Sequence, residues 1–355
     1  YRYHNNTLLH NDYLLRNEQN LTLSQLLFDN SSVRNKLKAA NNQAEAAHTT
    51  VLYTSEEIAM NAIESFLNVL LYRKHIDVVT QNITNHETIF NKIKTQYDVG
   101  TSPLADVQQA QLRLATAQTE LIEQKLNLES ANAIYKEIFN KLPGNLIMPE
   151  RPSIENMENE AQLIELALLN NKQITTLSKR IEAKQAELSA ARALYSPVLT
   201  LDLSAVRNEN QPNFDETIID YRAMLNMKYN IFRGFADKSK IQEAHENLKY
   251  AELKKEEYIR EVEANVKKYI NMFKTSSLRL PLLRSNVQTN IILLESYMEQ
   301  FDMGRRNLLA LLDARDELCD NIIILVNCEI DYMLSSFKLL AVIGKLLDTL
   351  YITVD

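Results

Sequence analysis

The sequence predicts a mainly α-helical chain with a small β part, built as two repeats in which alternating strands lead into very long helices. Three observations carry this. Glycine and proline number only 5 and 7 in 355 residues, where average usage would make them about 12% of the chain. So few turn formers exclude an all-β sandwich or a multi-loop α/β enzyme. Apolar residues recur at heptad spacing over long stretches. Finally, the chain matches itself without a gap at an offset of 204 residues, which lays Leu21 on Leu225 and Gly100 on Gly304. A hydrophobic content of 45% is too high for a disordered chain.

Taken in order, the first repeat opens on a polar stretch, Asn5 to Asn20, followed by Leu21, Leu23, Gln25 and Leu27 in strict alternation. Period two marks a strand with two different faces. Val33, Leu37, Ala40, Ala44, Ala47 and Val51 then step by four and three, a seam whose alanines permit close helix approach. The pattern continues, with changing phase, to Tyr97, which predicts one helix from about 31 to about 97, roughly 100 Å long. The turn Asp98 to Pro103 places Gly100 at a C′ position with positive φ, Ser102 as the next cap and Pro103 as the first helical residue. A return helix covers about 103–139. Pro143, Pro149 and Pro152 mark a connector.

The second repeat begins with a helix at about 160–194. Leu199, Leu201, Leu203 and Ala205 alternate, Arg207 to Glu216 is a polar loop, and Tyr221, Ala223, Leu225, Met227, Tyr229 and Ile231 alternate again. A helix from about 235 to 301 is expected to kink at Pro281. The turn Asp302 to Asn307 carries Gly304, and a return helix covers about 305–347. The repeats therefore divide as 1–142, a connector at 143–158, and 159–355. By the offset, the chain is expected to begin inside the first repeat's first strand, about 45 residues after that repeat's start.

Several function classes are excluded. The glycines lie at least 40 residues apart, so no G-x-G-x-x-G or Walker loop exists to cradle a phosphate. A net charge of −7 offers no basic excess for nucleic acid. Cys319 and Cys328 are nine residues apart in one helix, about 13 Å, too far to pair; they read as small buried apolar side chains. The six histidines form no H-E-x-x-H, and no pair of Glu-x-x-His motifs supports a di-iron bundle, which needs two of them. Neither a catalytic constellation nor a cofactor motif is present. No apolar run approaches the ~18 residues of a spanning helix, although a β-barrel stays open because its strands are short and alternate.

The turns carry a resemblance. Tyr97-Asp98-Val99-Gly100-Thr101 with Leu104-Ala105-Asp106-Val107-Gln108-Gln109-Ala110, and Phe301-Asp302-Met303-Gly304-Arg305-Arg306-Asn307-Leu308-Leu309 with Leu312-Asp313-Ala314-Arg315, resemble the two hairpin tips of the TolC-like outer-membrane efflux and secretion proteins. Asn230-Ile231-Phe232-Arg233-Gly234 and Leu27-Phe28-Asp29-Asn30 resemble that family's strand-to-helix junctions. The resemblance covers nearly the whole chain. It implies a homotrimer in the outer membrane of a Gram-negative bacterium, with a 12-stranded barrel in the lipid and a 12-helix periplasmic tunnel. A chain with about four strands cannot close a barrel alone, and lipid tolerates no open edge.

The resemblance also implies site residues. Asp106 and Arg306 match an acidic–basic pair at the periplasmic gate, Phe301 an aromatic gate position, and Asp313 the second of two carboxylates near the constriction, where Ala310 replaces the first. Asp106 is read equally well as a complement to its helix dipole. Asp313, Asp316, Glu317 and Asp320 share one helical face, either a solvated stripe or a lumen lining that favours cations. Val99, Gly100, Leu104, Met303, Gly304 and Leu308 form tips that a periplasmic adaptor would dock, although Leu104 and Leu308 also suit packing within the tip's own coiled coil. The implied partners are that adaptor and an inner-membrane ABC or RND transporter. The second tip and Leu339 to Leu347 favour type I protein secretion. Alternatives are a multidrug RND-type duct and, from another class, a soluble coiled-coil scaffold.

Overall fold

The computed structural model describes residues 17–152, 159–209 and 217–353. In chain order these form β1 (Asn17–Phe28), α1 (Ser32–Asp98), α2 (Leu104–Phe139), α3 (Glu160–Asn170), α4 (Lys172–Arg192), β2 (Val198–Glu209), β3 (Ile218–Lys228), α5 (Ala236–Asp302), α6 (Leu308–Val342) and α7 (Leu346–Thr349). The repeat is copied to the residue. α1 and α5 are both 67 residues long, and both ends of α5, like the start of α6, lie at the offset read from the sequence. α5 runs through Pro281 without a break.

The junctions repeat as well. Asn30 and Ser31 have φ of 50° and 63°, and their counterparts Gly234 and Phe235 have 58° and 65°. Three of these four are not glycine, so each junction holds a strained left-handed pair. Both pairs are closed by the same backbone bonds: Ser32 N–H donates to the Asp29 carbonyl and Ala236 N–H to the Arg233 carbonyl, each at 3.1 Å. Asp29 also caps α1, its Oδ2 accepting from the Val33 N–H at 2.6 Å.

The chain divides into two compact units, each drawn from both repeats. The first contains one antiparallel sheet in the order β1-β2-β3. Leu21 pairs with Ala205 and Ala205 with Tyr221; Leu23 pairs with Leu203 and Leu203 with Ala223. The face carrying these residues, with Leu201, Leu225 and Met227, is apolar. The opposite face carries Thr22, Ser24, Asp202, Ser204, Arg222 and Asn226, and there Asp202 accepts from the Ser24 hydroxyl and the Asn226 amide. Large apolar side chains of the first face stand exposed, Leu21 at 75% and Tyr221 at 78%. Tyr229 and Ile231, expected in the third strand, lie beyond its end. The polar stretch before residue 17, any further strand there, and the loop around Pro212 fall outside the described residues.

The second unit is helical. Its largest buried cluster joins Leu163, Ala167, Val262, Val266, Phe337, Leu339 and Leu346. The connector is held to this unit: Arg73 donates to the carbonyls of Gly144 and Pro143 at 2.7 and 3.1 Å. Arg151 lies 5.4 and 5.1 Å from the rings of Phe273 and Tyr332. Residues 153–158 of the connector lie outside the described residues.

Three expectations need correction, and the seam Val33, Leu37, Ala40, Ala44, Ala47 and Val51 is exposed in the single chain. The stripe that α1 buries runs instead through Ala39, Asn42, Ala46 and Glu56, also at heptad spacing. The helix expected at 160–194 is two helices. Asn171 breaks it at ψ 117°, and its Oδ1 accepts from the N–H groups of Gln173 and Ile174 at 3.0 and 3.2 Å, capping α4. The last helix ends at Val342 rather than 347. Gly344, at φ 69°, turns the chain, with Lys345 N–H bonded to the Leu340 carbonyl and Gly344 N–H to that of Ala341. Ser102 is not a cap: Pro103 holds that position with no side-chain bond, and the Ser102 hydroxyl donates to Asp106 Oδ2 at 3.2 Å.

Candidate functional site

The two hairpin tips lie in the helical unit and share one construction. At the end of α1, Thr101 N–H bonds the Gln96 carbonyl at 2.8 Å and Gly100 N–H the Tyr97 carbonyl at 2.9 Å; at the end of α5, Arg305 and Gly304 repeat this with Gln300 and Phe301 at 2.8 and 2.9 Å. These paired bonds satisfy the last carbonyls of each helix and require a left-handed C′ residue. Gly100 and Gly304 supply it, with φ of 78° and 71°.

Beneath the turns, Ile89 and Ile93 of α1, Ala110 of α2, Leu294 of α5 and Leu308, Leu311 and Leu312 of α6 form one buried cluster. Leu308, placed at the tip and suited to packing within its coiled coil, is therefore an interior residue, whereas Leu104, suited to the same packing, is not. Val99, Leu104 and Met303 remain exposed. Phe301 is half-buried against the same cluster. Lys92 pairs with Asp302 and lies 5.9 Å from the Phe301 ring, which ties α1 to α5 at their ends.

Asp106 and Arg306 are each engaged within their own hairpin. Asp106 accepts from Ser102. Arg306 Nε donates to Gln300 Oε1 at 2.9 Å, and its guanidinium stacks 3.6 Å from the Tyr297 ring centre, a cation–π contact.

The acidic face of α6 is not a row of free carboxylates. Arg113 of α2 forks across it, Nη2 to Asp313 Oδ1 at 2.5 Å and Nη1 to Asp316 Oδ2 at 2.9 Å. Asp316 Oδ1 meets Nε2 of His86, whose side chain is fully buried, at 2.8 Å. One arginine thus compensates two of the four residues and links α2 to α6, and His86 joins α1 to the same group. Asp320 titrates above the usual carboxylate range because of burial and the negative charges of Asp316 and Glu120. On the next position back, burial pushes the Cys319 thiol up to about 12, so it is inert at neutral pH. Sequence reasoning missed Arg113 and His86. A signal did exist: Arg113 is the only basic residue of α2 before Lys125. Among the described residues no group of His, Cys, Asp or Glu is arranged to hold a metal, and no helix is long and apolar enough to cross a membrane.

Comparison with known proteins places these features. The family model described as "Outer membrane efflux protein" matches residues 2–136 and 163–345. Over 336 residues the chain is 21% identical to the outer membrane efflux protein BepC of Brucella suis, covering 94% of this chain and 74% of that protein. It is 25% identical to the outer membrane protein TolC of Vibrio cholerae over 336 residues, 92% and 76% of the two chains. Among solved structures, VceC of Vibrio cholerae superposes with a TM-score of 0.82 at 14% identity, covering 93% of this chain and 87% of that one. The CmeC outer membrane channel of Campylobacter jejuni gives 0.78 at 15% identity, covering 94% and 78%.

Proposed function

The chain belongs to the outer membrane efflux protein family and resides in the outer membrane, and from that premise we propose that three copies close one 12-stranded barrel, continued by a 12-helix periplasmic tunnel, as a passive export duct. The observation that carries this reading is the sheet. It is a single layer with one apolar and one polar face, and lipid on one side with a watery lumen on the other satisfies both. An isolated sheet with open edges is not tolerated in lipid, so neighbouring copies supply the missing pairing. The uncovered α1 seam from Val33 to Val51 supports contact between copies in the helical part. A soluble scaffold has no use for such a sheet, and family membership removes that alternative. Purified in detergent, the protein is expected to run as a three-chain complex and to conduct in planar bilayers. A soluble, non-conducting monomer overturns the reading.

The tips form the periplasmic gate in this proposal. Asp106, Arg306, Phe301 and Asp313 meet their counterparts on adjacent chains, and Val99, Leu104 and Met303 flank the glycine turns where a periplasmic adaptor docks. Photo-crosslinkers at Val99 and Met303 are expected to capture the adaptor; capture from the β1 end alone refutes the docking. The acidic face of α6 lines the lumen, which makes Arg113 the setting of its charge. Replacing Arg113 with glutamine frees Asp313 and Asp316 and is expected to shift single-channel reversal potentials toward cations. An unchanged reversal potential places the face away from the pore.

The duct receives cargo from an inner-membrane ABC or RND transporter through the adaptor. The second tip, Phe301 to Asn307, favours protein cargo of type I secretion. The names of relatives such as the efflux protein BepC favour an efflux duct as the second reading. Expression in a strain lacking its own duct separates them: restored toxin secretion supports the first, restored drug resistance alone the second.

A further inference from the structure

The helical unit contains a cleft of about 260 Å³ away from the tips, between α1, α5 and the chain around Asn171 and Val342. Its unusual member is Glu56. This side chain is only 5% exposed and lines the cleft, yet among the described residues no hydrogen bond or ion pair holds its carboxyl. A largely buried carboxyl without a direct partner is costly; Lys172 compensates it without overcoming burial, and a cation in the cleft relieves the remainder. The surroundings define which cation. Tyr53 and Tyr258 offer aromatic faces and hydroxyls, and the Tyr53 hydroxyl donates to Glu57 Oε1 at 2.7 Å. Met60, Val262 and Val342 supply apolar wall. The described carboxylates do not converge as metal ligands. The volume is below the ~300–1,000 Å³ of drug-sized sites. We propose that this cleft binds a short-chain alkylammonium ion, its ammonium paired with Glu56 and its carbon chain against Met60 and Val262.

The charged and titratable groups around Glu56 are Glu57 and Tyr53 on α1, Tyr258, Glu261 and Tyr269 on α5, Lys172 at the start of α4 and Asp348 on α7. Lys172 lowers and Asp348 raises the Glu56 carboxyl, but burial dominates and holds it at about 7. An ammonium ligand therefore meets its counter-charge fully only above neutrality, and its binding tightens as pH rises from 6 to 8.

The test is calorimetric titration of n-butylammonium chloride into the detergent-purified protein at pH 8, with n-butanol and sodium chloride as controls. Saturable binding of butylammonium alone is expected. The Glu56→Gln variant is expected to weaken it by about tenfold or more, and Glu123→Gln on α2 to leave it unchanged. No saturable heat, equal binding of butanol or sodium, or undiminished binding by a folded Glu56→Gln protein each overturns the proposal. Should Glu56→Gln fail to fold, the pH dependence of the wild-type titration decides: affinity flat between pH 6 and 8 refutes the pairing.

Discussion

Replacing Gly344 with alanine is expected to destabilise the chain by about 3 kcal/mol, the sum of a left-handed backbone penalty and a steric overlap. The residue sits at φ 69°, and a Cβ there would stand 2.6 Å from the Asn170 carbonyl oxygen and 2.9 Å from its carbonyl carbon. Both atoms are backbone, at the end of α3, and cannot rotate aside. Around them Leu339, Ile343 and Leu346 are almost wholly buried, so relief by moving either segment disturbs the main core. The tips provide the control. Gly100 and Gly304 have equally positive φ, but a Cβ added at either would meet nothing within 4 Å, so alanine there costs only the backbone share, about 1 kcal/mol. Thermal unfolding of the three variants in one detergent checks the ranking. A Gly344→Ala midpoint no lower than the two tip variants contradicts the close approach.

Glu56→Gln is expected to stabilise the ligand-free protein in a pH-dependent way. In the folded state burial raises the carboxyl from 4.5 to about 7. Below pH 4 both folded and unfolded chains hold the proton, and the site carries no pH-linked penalty. As pH climbs from 4.5 to 7 the unfolded chain releases its proton first, so stability falls; above 7 the loss is constant, about 3 kcal/mol. Glutamine removes the ionisation. The difference between variant and wild type is therefore expected to grow from near zero at pH 4 to about 3 kcal/mol at pH 8. Paired denaturation curves across that range measure it, and a pH-independent difference shows that Glu56 ionises normally.

The long helices were legible because their information is local. Gly100, Gly304 and the heptad steps fix ends and length, and the self-match at 204 fixes both copies. The strands were legible by alternation, although β2 continues to Glu209 through residues whose composition reads as loop. Less legible was which stripe of α1 faces its own chain. Both stripes keep heptad spacing and carry alanine, and burial depends on a partner helix that spacing does not identify. The break at Asn171 escaped because neither glycine nor proline marks it; an asparagine cap does the same work with its side chain. At the candidate site the acidic face was visible, but Arg113 and His86 lie about two hundred residues away in sequence, and only the fold brings them to it.

Because the stripe from Val33 to Val51 is left uncovered by its own chain, as is the apolar face of the sheet, a newly made copy meets water with two sticky surfaces. In the trimer we propose, folding and association then become a single event: stability is set by protomer concentration rather than by the chain alone, dilute refolding stalls, and the exposed strand edges invite wrong pairing in the interval. A holdase that shields the stripe until a second copy arrives raises the yield without altering the final product.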